Sequence, residues 1–76
     1  MMKIDLHGLS HKEALIKVEN ELIMNQIYKD HIVEIITGKS TLMQNAIIRD
    51  ILDKYEFDYH IPANNSGVIV VAEAEF

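Results

Sequence analysis

The sequence predicts an α/β fold of the α+β two-layer type. A four-stranded mixed sheet should carry its helices on one face, in the order β-α-β-α-β-β. Three observations predict it. Short β-branched apolar runs alternate with two longer stretches of helical periodicity. Serines that can act as caps stand where each periodic stretch begins. The turn-rich stretch PANNSG separates the last two apolar runs and sends the chain back on itself.

Residues 3–7, KIDLH, read as a strand with Ile4 and Leu6 on one face and Lys3, Asp5 and His7 on the other. Gly8 allows a turn. Ser10 reads as an N-cap, and Glu13 three residues later completes a capping box. A helix is expected over residues 11–28, with Ala14, Leu15, Val18 and Leu22 as its inner stripe and Ile16, Ile23 and Ile27 as a second one. Residues 32–36, IVEII, favour a strand. Thr37, Gly38 and Lys39 then turn the chain into a second helix over residues 41–54, with Leu42, Ala46, Ile48, Ile51, Leu52 and Tyr55 facing inward. Residues 57–61, FDYHI, alternate like a half-buried strand, and residues 68–72, VIVVA, are apolar on both faces, as in a central strand.

Right-handed crossovers make the first three strands parallel, and the tight turn makes the fourth antiparallel. The loops at His7 and Gly8, at residues 37–40 and at residues 63–67 then lie at one end, where open α/β sheets bind ligands. The helices should cover Ile4, Leu6, Val33, Ile35, Val68 and Val70. An open face with Ile32, Ile36, Ile69 and Val71 remains, and contiguous apolar area of that kind predicts a homo-oligomer or a protein partner.

Composition narrows the classes. With 76 residues, a single domain over residues 1–76 is expected, and its core is small. A hydrophobic fraction of 49% is that of a globule. The absence of cysteine removes disulfides and thiolate metal sites and is compatible with a cytoplasmic location. The start, MMKIDLHG, does not read as a signal peptide. No apolar run approaches the roughly 18 residues that span a bilayer, so no membrane partner is expected. A net charge of −5 weighs against a protein whose whole surface is a basic footprint for nucleic acid.

The stretch IITGKST ends like a phosphate-binding P-loop. Such a loop needs a glycine five residues before Gly38, and that position is Val33, inside a strand. A smaller anion site, with Lys39 beside the start of a helix, survives that test. The alternative is an ordinary turn at Gly38 with Ser40 or Thr41 capping the helix. Asp5 and His7 form a second constellation. A carboxylate beside an imidazole can orient the ring and favour its charged form, which suits general acid or base work on a phosphodiester. The pair also offers two ligands to a divalent metal, too few to specify a site, so the cofactor stays open. The alternative is a polar strand end in which Asp5 bonds nearby backbone. His11 and His60 are further candidates; His60 lies on the third strand, away from His7.

Taken together, Ile4-Asp5-Leu6-His7-Gly8 and Thr37-Gly38-Lys39-Ser40 carry a resemblance. They match, in order, the motifs L-D-[LF]-H-G and [HT]-G-x-G of the small MutS-related (Smr) domain, which this chain resembles from residue 4 to about residue 71. The second motif departs at Ser40, where the family has glycine. The resemblance implies a fold like the carboxy-terminal domain of the third bacterial initiation factor, with sheet order 1-2-4-3. It implies nucleic-acid binding, DNA or RNA, and in many members endonuclease or nickase activity. Asp5 and His7 would then be catalytic, and Thr37, Gly38 and Lys39 would hold the substrate phosphate. Gly8, Ser40 and Asn65, in the loops at the same end, are further candidates for substrate or phosphate binding. Glycine at position 40 would let backbone approach a phosphate more closely than serine does. A non-catalytic oligomer that binds a nucleotide or another phosphate-bearing ligand is the alternative.

Overall fold

The computed structural model describes residues 2–29 and 31–74, with side chains as far as residue 72. The chain forms β1 (Met2–Asp5), α1 (His11–Glu19), β2 (Val33–Ile36), α2 (Thr41–Ile47), β3 (Phe57–His60) and β4 (Val68–Ala74). β1 and β2 run parallel, with Ile4 opposite Ile35 and Asp5 opposite Ile36. β4 runs antiparallel to both β2 and β3, so the sheet order is β1-β2-β4-β3, as the family resemblance implied. Near its end β4 carries one extra residue: Tyr59 faces Val71, but Phe57 faces Ala74.

Both helices lie against one face of the sheet and close a single apolar cluster with it. Ile4, Leu6, Val33, Ile35, Ile69 and Val71 come from the β1, β2 and β4 segments, Ala14, Val18 and Leu22 from the first helical segment, and Met43, Ile47, Ile51 and Leu52 from the second. Each fully buried Ile, Leu or Val stabilises the fold by about 1.5–3 kcal/mol relative to its exposed state. Tyr28 and Phe57 close one edge, ring edge to ring face, with centroids 5.0 Å apart.

The structure corrects the reading of β4. Register pairs Val71 with Val33 and Ile69 with Ile35, so Ile69 and Val71 face the helices. Val68 and Val70 pair with Ile36 and Glu34 on the open face. A strand apolar on both sides carries no period-two signal, so only pairing fixes which side is buried. The open apolar face remains, made of Ile32, Ile36, Val70 and Ala72 beside the buried Val68, with Ile32 55% exposed.

The helices are also shorter than expected. α1 passes at Asn20–Met24 into a wider π-type turn, closed by the Asn25 N–H on the Asn20 carbonyl at 2.8 Å. A separate 3-10 turn follows at Ile27–Lys29, after Gln26 with φ 52°. α2 ends the same way, through the π-type turn Ile48–Leu52. Of the second stripe, Ile16 is exposed, whereas Ile23 and Ile27 pack against the core. On α2 the inward residues are Met43, Gln44 and Ile47, and Leu42 is 74% exposed. Leu42 stands in the first turn, ahead of the i, i+4, i+8 line formed by Met43, Ile47 and Ile51.

Candidate functional site

Two turns meet beyond the carboxyl ends of β1 and β2. β1 stops at Asp5, two residues earlier than its alternation suggested, because Gly8 takes φ 78° and breaks the extended path. The pairing runs on only as far as the Leu6 N–H, which donates to the Ile36 carbonyl at 3.1 Å. The second turn is built alike, with Gly38 at φ 65°. Other residues pay about 1–2 kcal/mol for that left-handed conformation. A Cβ at either glycine would meet nothing within 4 Å, so the demand for glycine there is purely conformational.

Between the turns lies a pocket of about 340 Å³, lined by Asp5, Leu6, His7, Gly8, Leu9, Ile36, Thr37, Gly38 and Met43. Leu6, Leu9, Ile36 and Met43 give it apolar lining. Asp5, His7, Thr37 and the two glycine backbones supply the polar groups. Both stretches singled out in the sequence thus share one cavity.

The family model of the Smr domain matches residues 4–72. This chain belongs to the Smr domain family. Smr domains are in general nucleic-acid-binding and nuclease-like. Comparisons with curated proteins and with solved structures gave no match.

Within this Smr domain the Asp5 carboxylate does not orient the His7 ring. Its Oδ1 accepts the His7 backbone N–H at 2.9 Å, and the Leu9 N–H donates to the Leu6 carbonyl at 3.1 Å. Asp5 therefore fixes the turn that presents His7, whose side chain is exposed. The turn then runs into α1 through Ser10. Its Oγ accepts the Glu13 N–H, and the Glu13 carboxylate accepts the Ser10 N–H at 3.0 Å. That backbone bond, reinforced by the Ser10 hydroxyl, holds the Glu13 carboxyl below the usual carboxylate range.

The second turn is held from a distance. The Gly67 carbonyl accepts the N–H groups of Thr37 at 2.9 Å and Gly38 at 3.1 Å. Gly67 packs so close that a Cβ there would stand 3.3 Å from the Gly38 backbone. Gln44, only 8% exposed, donates to the Thr37 hydroxyl oxygen at 2.9 Å and to the Ser66 carbonyl at 2.6 Å. The Thr37 hydroxyl has one proton, and the carbonyls of Gly38 and Gly67 both lie within its reach.

The remaining expected residues stand outside the pocket lining. Lys39 is exposed beside it. Ser40 is the N-cap of α2, with φ −83° and its Oγ accepting the Met43 N–H at 3.2 Å. Its negative φ makes no demand for glycine, which is why serine stands here without backbone strain. Asn65 spends its side chain on its own turn, where Oδ1 accepts the Gly67 N–H at 3.1 Å. His60 lies across the sheet in a separate groove with Ile32, Asp58, Val70 and Ala72. Arg49, on the helical segment after α2, is solvent-exposed and pairs with Asp50 at 2.9 Å. Among the described residues, no group of three or more His, Asp or Glu side chains is close enough to hold a metal, and no helix is long and apolar enough to cross a membrane.

Two residues at the site escaped the sequence reading. Lys17 reaches from α1 and donates to the Asp5 carbonyl at 3.1 Å, which brings an ammonium group to this end of the sheet. Gln44 was readable in principle, because it heads the i, i+4, i+8 line with Ile48 and Leu52.

Proposed function

We propose that this Smr domain binds nucleic acid at the pocket, RNA in preference to DNA, and that His7 carries phosphodiester cleavage there. The observation that carries the reading is that Asp5, His7 and Gly8 share one cavity with Thr37 and Gly38. The exposed His7 imidazole is free to take a proton from an attacking hydroxyl or give one to a leaving oxygen. The turn at Thr37 and Gly38, with Lys39 beside it, would hold the phosphate. A chain of net charge −5 is poorly suited to tight nonspecific binding along a duplex, and RNA is favoured because its single-stranded loops and ends are recognised by a few local contacts. A cytoplasmic setting belongs to the same reading.

The test is a nicking assay on plasmid and on structured RNA with wild type, His7→Ala, Asp5→Ala and Asp5→Asn. His7→Ala should lower cleavage by about 10²–10⁴-fold. Asp5→Asn keeps an acceptor for the His7 N–H and should retain more activity than Asp5→Ala. Inactive wild type, or cleavage unchanged in His7→Ala, sinks the catalytic assignment.

A second reading is supported by the pocket volume of about 340 Å³, at the lower end of what small-molecule sites occupy. In it the pocket takes a nucleotide without cleaving it, and calorimetry against nucleotides with a Lys39→Ala control separates the two. Self-association through the open face stays a proposal, supported by the exposure of Ile32; light scattering of Ile32→Lys against wild type tests it.

A further inference from the structure

One buried polar side chain on α2 plays no part in the chemistry proposed above. Gln44 lies on the helix-covered side, 8% exposed, and its amide nitrogen spans two separate loops. One bond goes to the Thr37 hydroxyl, seven positions back, at 2.9 Å. The other goes to the Ser66 carbonyl, twenty-two positions ahead, at 2.6 Å. Those two residues adjoin Gly38 and Gly67, whose backbones are themselves in contact. The backbone N–H groups of Thr37 and Gly38 donate to Gly67, in another loop, and the tie from α2 is the Gln44 amide. An amide buried in an apolar helix face is costly unless bonded. Here both of its donor bonds are spent on the junction that forms one wall of the pocket.

We propose that Gln44 is a positioning residue, whose buried carboxamide clamps the turn at Thr37 and Gly38 against the turn at Ser66 and Gly67 and so sets the pocket wall that receives the substrate phosphate. The inference rests on the nucleic-acid reading for its ligand but not for the clamp itself. Gln44 does not line the pocket, so it acts through Thr37 and Gly38 and touches no substrate.

The experiment uses the full chain and Gln44→Leu, an apolar side chain one bond shorter that suits the buried helix face while removing both bonds. Amide hydrogen exchange reads the clamp without any ligand. Exchange at Thr37 and Gly38 should quicken by about tenfold, as expected when two buried bonds are lost, while α1 amides keep their rates. Binding is read by fluorescence anisotropy with a labelled single-stranded RNA oligonucleotide. The Kd should rise by about tenfold, and Thr37→Val combined with Gln44→Leu should be no weaker than the worse single variant. Where the RNA is cleaved, KM should carry the loss and kcat should stay within about twofold, because His7 sits on the opposite wall. Unchanged exchange at Thr37 and Gly38 overturns the clamp, and so does binding equal to wild type. Should wild type bind no RNA, the functional reading fails and exchange alone decides: selective quickening upholds the clamp, and its absence overturns it.

Discussion

The two walls of the pocket are near copies in sequence and opposites in support. Each is a strand end, a glycine with positive φ, one further residue and a serine N-cap: Gly8 before Ser10, Gly38 before Ser40. The first wall is held almost entirely by its neighbours in sequence. Asp5 bonds His7, Leu9 bonds Leu6, and Ser10 and Glu13 bond each other. The second is held by residues far along the chain, Ser66 and Gly67, and by Gln44 from within α2. The wall presenting His7 can therefore form locally, whereas the wall with Thr37 and Gly38 exists only once β4 has docked.

That contrast can be broken or sharpened in order of expected effect. The largest effect belongs to Gly67→Ala, which pushes a methyl against the Gly38 backbone. Chemical denaturation should show a loss of about 1–3 kcal/mol, with backbone NMR shifts changed at Thr37 and Gly38 and not at His7. Gly8→Ala and Gly38→Ala come next. Neither new Cβ meets a neighbour, so each should lose about 1–2 kcal/mol from backbone conformation alone. Equal losses mean that the glycines are equivalent and the walls differ only in their ties.

The caps give a smaller effect. Ser40→Ala should cost about 0.5–2 kcal/mol by thermal denaturation, and Ser40→Gly only a few tenths. A small cost for Ser40→Gly would show that serine and the family's glycine are interchangeable here. Smallest is the Glu13 carboxylate of the first wall. Its folded-state pKa is lowered by the Ser10 backbone bond and then by the Ser10 hydroxyl. Its contribution is thus present above the unfolded-state pKa and is lost as pH falls through the folded value. Glu13→Gln should flatten stability against pH in that acidic window, so that it is slightly less stable than wild type at neutral pH and the difference vanishes at low pH.

The legibility of the site follows the same division. Asp5, His7, Gly8, Thr37 and Gly38 could be chosen from the sequence because glycines and capping serines punctuate short, regular patterns. What those side chains do was less legible. Asp5 offers an acceptor both to an imidazole and to the backbone two residues on, and the nearer N–H took it. Lys39, Ser40 and Asn65 were expected to meet the ligand, and the structure adds a part that two of them play in the fold, since Ser40 and Asn65 bond their own turns.

By itself the sequence determined the element order, the start of both helices and the two glycine turns, and its two motifs carried the resemblance to the Smr domain. The first three rest on local chemistry: capping, β-branching, and the φ that only glycine takes cheaply. Only the tertiary structure decided which side of β4 is buried, that Met43 and Gln44 face in while Leu42 faces out, and what holds Thr37 in place. The reason is physical. VIVVA is apolar on either face, so its register with β2 had to choose between Ile69 and Val70 for the core. A glutamine in a helix, in turn, is a surface residue until two distant loops bring it a hydroxyl and a carbonyl to bond.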